Sequence, residues 1–454
     1  MNRTAREADG SRAPEASAAP GRPACELGKA PSDDGSFAGH NAPGPRGAGH
    51  EGSSPEAGRS LAGHRRANPQ AGRPRLMRAI NEGLLLEHIR LLGPVSKADL
   101  ARASGLSKPT VALALASLEH EGLVKFAGRR TGWRGPAAFL YDVNPDAGYV
   151  LGLDVGKRYL RGALADITGK VLGRLSRPAH ASGALARVTE LARLASDLVT
   201  AAGTARDRVA QVVIGSPGVY DPARGALALA ANVPGWESPK VLERLRQTLG
   251  PSTLIENDVD LAALAERDHG HGRQARTFCF VSVGTGVGMG LVIDGKLHRG
   301  AHGAAGEIAY LPIGDAEVSP AQARRYGHLE AAASASAVVK TARGFGVRLP
   351  SSAQHVFAAA QRGDKAAACA VEREVGLIAR AVSAVVSVVD PELVVLGGGI
   401  GQATGFASAV ATELANLVPF VPDVRVSALG DEAVVDGALA LGLELAWQRL
   451  LERS

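Results

Sequence analysis

The chain has 454 residues, 45% of them hydrophobic and 21% charged, which suffices for two or three domains with a sizeable buried core. Its formal charge of +6 admits a polyanionic partner, and its three cysteines, Cys25, Cys279 and Cys369, match neither a zinc nor a disulfide spacing. With no apolar run near the roughly 20 residues that span a bilayer and no apolar signal segment, a reduced cytoplasm is expected, with no membrane partner.

In chain order, residues 1–74 are rich in Gly, Ala, Pro, Ser and Arg, and are expected to form a disordered, low-complexity tail. Residues 75–145 read as a winged helix-turn-helix. Leu84, Leu85, Ile89 and Leu92 recur at helical spacing and stop at Gly93-Pro94. Ser96 is placed to cap a short helix, Gly105 supplies a turn, and Ser107-Lys108-Pro109-Thr110 opens a second helix carrying Val111, Leu115 and Leu118. Two strands, 123–126 and 139–143, flank a glycine-punctuated basic hairpin at 128–135, the wing. Ser107, Lys108, Pro109 and Thr110 would enter the major groove, while Arg129, Arg130 and Arg134 would reach backbone or minor groove, so double-stranded operator DNA is the expected partner. A helical protein-interaction domain with a solvated basic loop is the alternative.

From Tyr149 the pattern is α/β. Strand pairs alternating with crossover helices, in two halves, suggest two similar lobes around a cleft. The expected boundaries are 146–265 for the first lobe, joined by a returning helix at 432–449, and 266–431 for the second, with the helix at 259–266 closing the first. The glycine-rich turn at 284–290 is suited to wrapping phosphates. Asn257 and Asp258 stand at a strand end, where an N-cap and a pair of hydroxyl ligands are both possible. Glu307 follows the Gly306 turn, and Gly397-Gly398-Gly399 bares backbone after a strand.

In this order the segments resemble the ROK family of repressors, open reading frames and kinases. The resemblance rests on Gly284-Thr285-Gly286-Val287-Gly288, on 295–300, and on Gly306-Glu307; 215–219, 232–236 and Glu256-Asn257-Asp258 are also family-like. It implies a two-lobed, actin-like (ribonuclease H-like) ATPase/sugar-kinase fold behind the winged helix-turn-helix. By resemblance, Asp258 takes the place of the kinase base, and Gly218, Asn257, Asp258, Glu307, Tyr310 and Glu330 are the expected sugar contacts, Tyr310 in an altered pocket. Nucleotide contacts would fall on Gly156, Gly284, Thr285, Gly286, Gly398 and Gly399.

Three features depart from the family kinases. The phosphate turn reads Asp154-Val155-Gly156-Lys157-Arg158, with one glycine and a threonine lost. Tyr310 stands where the zinc- and sugar-binding histidine would be, and 311–329 contains no cysteine, so no metal or structural zinc is expected. A DNA-binding module precedes the lobes. Loss of the nucleotide site removes catalysis but leaves a carboxylate able to hold a sugar hydroxyl. The expected protein is therefore a sugar-responsive transcriptional regulator, a homodimer or homotetramer that represses carbohydrate-utilisation genes without a cofactor, its effector a sugar or sugar phosphate. An ATP- and magnesium-dependent, glucokinase-like sugar kinase is the alternative.

Overall fold

The computed structural model describes residues 73–130, 138–181, 183–221, 224–230, 233–314 and 318–453. Arg134, Asn232, Cys25 and all but the end of the tail expected over 1–74 lie outside them.

The head is built from α1 (Arg73–Leu92), β1 (Val95–Ser96), α2 (Lys97–Ser104), α3 (Lys108–His120), β2 (Val124–Arg130) and β3 (Ala138–Val143). Local chemistry fixes its turns. Ser96 and Asp99 form a capping box, each accepting the other's backbone N–H at the start of α2, and Gly105 ends that helix with φ of 71°. Ser107 caps α3 by accepting the Thr110 N–H, with Pro109 in the first turn, where no intrahelical donor is lost. Two expectations need correcting. The buried face of α1 is Leu85, Leu86 and Ile89, whereas Leu84 and Leu92 are exposed. The hairpin strand runs on to Arg130, so the wing begins later than residue 128, and β1 adds a third strand in the order β1-β3-β2.

The first α/β unit contains β4 (Tyr149–Val155), β5 (Tyr159–Asp166), β6 (Val171–Pro178), α4 (Ala184–Ala201), β7 (Val209–Ser216), the small pair β8 (Val219–Asp221) and β9 (Ala226–Ala228), α5 (Pro239–Leu249) and β10 (Thr253–Asn257). Its sheet has the order β10-β7-β4-β5-β6, parallel from β10 to β4 and antiparallel beyond. Every residue of β4 is buried, as expected of a strand covered on both faces.

Next come α6 (Asp258–His269), β11 (Phe278–Val283), β12 (Val287–Ile293) and β13 (Lys296–Leu297), followed by the helices α7 (Pro320–Tyr326), α8 (His328–Ala333), α9 (Ala335–Gly344), α10 (Ala353–Gln361) and α11 (Lys365–Val389). The chain ends with β14 (Leu393–Gly397), α12 (Gly398–Gly401), α13 (Phe406–Leu414), β15 (Asp423–Val426) and α14 (Ala433–Arg453). The second sheet, β13-β12-β11-β14-β15, is covered on one side by a core of α9 to α11 and α13.

The helices α6 and α14 lie side by side between the sheets, α14 against β4 and β7, α6 against β11 and β12. So α6 does not simply close the first lobe. Its Ala262, Ala263 and Ala265 share a core with Phe278, Phe280 and Val395 of the second sheet. Small residues at those positions let the helix approach closely.

Candidate functional site

A cavity of about 330 Å³ opens where the two sheets meet, at the N-terminal ends of α6 and α14. One end is acidic. Asn257 is the N-cap of α6: its Oδ1 accepts the N–H groups of Val259 (2.9 Å) and Asp260 (3.2 Å), and its Nδ2 donates to the Gly218 carbonyl (3.0 Å). The cap is therefore Asn257, not Asp258, and the asparagine anchors the Gly218 loop as much as it faces the cavity. This leaves the Asp258 carboxyl free to line the cavity, where burial raises its pKa to about 6 against the opposing pull of the Val259 N–H. Glu307 sits behind Gly306, a position where a Cβ would lie 2.0 Å from the Met289 carbonyl oxygen, so the loop presses onto β12. Burial, and then Glu330, raise Glu307 to about 7. Glu330 accepts the Val287 N–H at 3.1 Å and is itself raised by burial. It fits because residue 286 is glycine, whose Cβ would fall 2.4 Å from the Glu330 Oε2.

Pro217, Leu229 and Val233 form an apolar wall of the same cavity. Leu229 adopts φ of 60°, a left-handed conformation that costs a leucine about 1 kcal/mol or more. Its surroundings hold it there. The neighbouring Ala228 carbonyl and Ala230 N–H pack onto Gly218, and Glu237 accepts the Ala230 N–H at 2.8 Å.

At the other end the sequence reading missed the decisive side chain. Arg161 pairs directly across the β4–β5 ladder from Asp154. Its guanidinium donates to the Asp154 Oδ2 (3.3 Å) and to the Asp431 Oδ2 (3.1 Å), just before α14. Counting outward from the turn at 156–158 would have found it. Burial, and then Asp258, raise Asp154 to about 7. Gly156 turns beside this pair, and a Cβ there would lie 2.7 Å from the Tyr159 carbonyl oxygen. Lys157, Gly284, Thr285 and Gly399 line both this cavity and a neighbouring one of about 700 Å³. Gly398 and Gly399 press onto the β11–β12 turn, where a Cβ on Gly284 would stand 3.2 Å from the Gly399 nitrogen. The six positions expected to contact nucleotide are thus gathered around one passage.

Tyr310 is the exception among the expected sugar contacts. It does not line the cavity, and its hydroxyl donates to the Arg324 carbonyl at 3.3 Å. Position 310 offers a phenol where a structural zinc site uses imidazole or thiolate, and among the described residues no group of three or more His, Cys, Asp or Glu is arranged to hold a metal.

Asp260 extends the acidic cluster. Its Oδ1 has no hydrogen-bond partner among the described residues, and burial followed by Glu256 raises it to about 8. Carboxyls raised in the folded state contribute stability that is complete below about pH 4 and is lost as the pH climbs through their folded values. For Asp154, Asp258, Asp260 and Glu307 that window opens near pH 4 and closes at about 6 to 8. Thermal melts should therefore show a decline across it that is shallower in Glu307→Gln. Equal slopes would contradict the assignment.

In the head, Lys108 and Pro109 are exposed at the start of α3, but Ser107 and Thr110 hydrogen-bond each other (2.8 Å). Arg129 stacks on Phe139 at 4.9 Å. Arg130 donates to Asp99 at 2.8 Å, tying β2 to α2, while its side chain stays exposed. Together with Ser96, its side chain first, this holds the Asp99 carboxyl well below the usual range.

The head is seated on α14. Leu85, Leu86, Ile89 and Leu115 share one apolar core with Val435, Leu439 and Trp447. The Trp447 Nε1 donates to the Ile167 carbonyl at 3.0 Å, and Arg90 lies over its ring at 5.5 Å. At its other end α14 contributes Ala433 and Val434 to the cavity wall, and Arg174 of β6 pairs with Glu432 (2.9 Å) and Asp436.

Comparison with known proteins agrees with this architecture. The ROK family matches residues 150–444, and the IclR helix-turn-helix domain matches residues 85–128. The xylose repressor of Caldicellulosiruptor bescii is 27% identical over 397 residues, covering 82% of this chain and 97% of that one. The glucokinase of Thermotoga maritima is 28% identical over 267 residues, 56% of this chain and 83% of that one. Among solved structures, a ROK family transcriptional regulator, a homologue of the E. coli MLC protein, superposes with a TM-score of 0.66 at 23% identity, over 83% of this chain and 98% of that one. The chain belongs to the ROK family, with an IclR-type helix-turn-helix ahead of its actin-like, sugar-kinase-type fold.

Proposed function

We propose that the protein is a sugar-responsive transcriptional repressor, in which occupancy of the interlobe cavity sets the DNA affinity of the head. One observation carries this reading. A single helix, α14, begins in the cavity wall and ends in the core of the helix-turn-helix. At 21 residues it is about 30 Å long, enough to link the two.

Sugar hydroxyls would donate to Asp258 and Glu307, with Glu330 fixed behind them and Pro217, Leu229 and Val233 against the apolar edge of the ring. Closure of the lobes on the sugar would displace Asp431 and the first turn of α14, and with it the seat of α1. A difference of a few kcal/mol between the two states suffices to change operator occupancy. The protein would act as a homodimer or homotetramer on a pseudo-palindromic site, its two heads matching the half-sites, in the cytoplasm and without zinc or nucleotide. The name of the Caldicellulosiruptor bescii relative makes D-xylose the first sugar to try.

Calorimetric titration with D-xylose, D-glucose and their phosphates, beside a coupled ADP-release assay with ATP and magnesium, tests the reading. Saturable binding of one of them without turnover is the expected result. ADP release that depends on sugar and is abolished by Asp258→Asn would make the protein a kinase instead.

A further inference from the structure

The middle of the outward face of α3 is apolar. Val111, Ala114, Leu115 and Leu118 point into the head core, which leaves Pro109, Leu113, Ala116 and His120 exposed at helical spacing, with Lys108 and Glu119 exposed to one side of them near its two ends. Leu113 is 70% exposed. The hydroxyls of this helix and its cap are engaged: Ser107 and Thr110 with each other, and Ser117 with Glu121 at 3.2 Å. A leucine this exposed in the middle of a recognition helix gains nothing from the head core. In the major groove, however, one base presents an apolar group, the 5-methyl of thymine. The cations exposed nearby, Lys108 at the helix start and Lys125 and Arg129 on β2, suit a phosphate backbone on either side of the helix.

We propose that α3 recognises its operator by thymine methyl groups packed against Leu113 and Ala116, so that each half-site presents thymines where the helix enters the groove. This rests on the DNA-binding reading and deepens it, from a duplex of any sequence to a particular chemical surface.

The test uses the full chain and a pool of random duplexes. Selection should enrich thymine at the positions that face α3. Replacing those thymines by uracil deletes only the methyl and keeps every base-pairing group. It should weaken binding about fourfold per methyl, the value of burying one such group. Leu113→Ala should shrink the thymine-over-uracil difference to what Ala116 and the new methyl contribute, with the salt dependence of binding unchanged because phosphate contacts remain. Leu113→Gln should move the preference toward adenine, which a glutamine pairs in bidentate fashion. An exposed position makes these variants safe for folding, and unchanged melting would verify it. If the enriched duplexes bind equally well with thymine or uracil, the proposal is overturned while DNA binding stands. If no duplex is enriched, the DNA-binding reading falls, and the proposal with it.

Discussion

Asp258→Asn should weaken sugar binding about 30-fold or more, and leave sugar-free DNA binding within about twofold. Hydrogen bonds to a charged group contribute about 1.5–3 kcal/mol each, and an ionised carboxylate can accept from two vicinal hydroxyls at once. An amide in its place turns one acceptor into a donor, which then faces a hydroxyl proton. Burial already holds Asp258 near 6, so above that pH the carboxylate stands ionised in the cavity and is ready to accept. Below it the wild type should lose sugar affinity, whereas the asparagine variant should show no such step. The head itself meets the far end of α14, where Arg90 lies over Trp447 and Gly83 approaches the Leu451 carbonyl, so operator binding survives and the variant is a repressor that no sugar relieves. Calorimetry for the sugar and fluorescence anisotropy for the duplex read the two affinities separately. Unchanged sugar affinity would remove Asp258 from the site.

Gly437→Val should destabilise the fold by about 3 kcal/mol, at the upper end of the range for overpacking. A Cβ at Gly437 would lie 1.8 Å from the Leu261 carbonyl oxygen, a backbone atom that no rotamer change can move. This is the point where α14 crosses α6, so relief requires the two helices to separate. Separation would displace Asp258 at the start of α6 and Val434 at the start of α14 together, and sugar affinity should fall along with stability. Gly376→Ala is the control. It lies within α11 with nothing within 4 Å of its Cβ, and alanine there should add about 1 kcal/mol through helix propensity. Urea midpoints at constant slope measure both. A neutral Gly437→Val would mean that the crossing is looser than the structure has it.

What could be read in the sequence follows from how locally each feature is encoded. The helix-turn-helix was legible because its boundaries are written in caps and a turn: Ser96 with Asp99, Gly105, then Ser107 with Pro109. The lobes were legible as strand pairs and crossover helices, Glu307 through its glycine-marked loop, and Asp258 and Glu330 through the family resemblance. By contrast, β6 is exposed along most of its length and has no apolar alternation to announce a strand. Leu84-Leu85-Leu86 leaves the phase of α1 open, and packing on α14, distant in sequence, decides which two are buried. The same non-locality hid the allegiance of α6, which turns its alanines to the second sheet. Arg161 looked like one cation among many until the ladder set it opposite Asp154. The role of Asn257 shifted for a related reason. Its neighbours in sequence suggested a hydroxyl ligand, yet the Gly218 carbonyl, brought close by the parallel pairing of β7 and β10, takes its amide.

The central claim is that a sugar in the cavity changes the grip of the head on DNA. The most direct measurement is the anisotropy of a labelled, selected duplex titrated with the full chain, with and without a sugar that calorimetry shows to bind. The expected result is a duplex affinity lowered about tenfold or more by the sugar, within the range of ordinary coupling between sites, and unaffected by it in Asp258→Asn. A sugar that saturates the cavity while the duplex is held as tightly as before would contradict it.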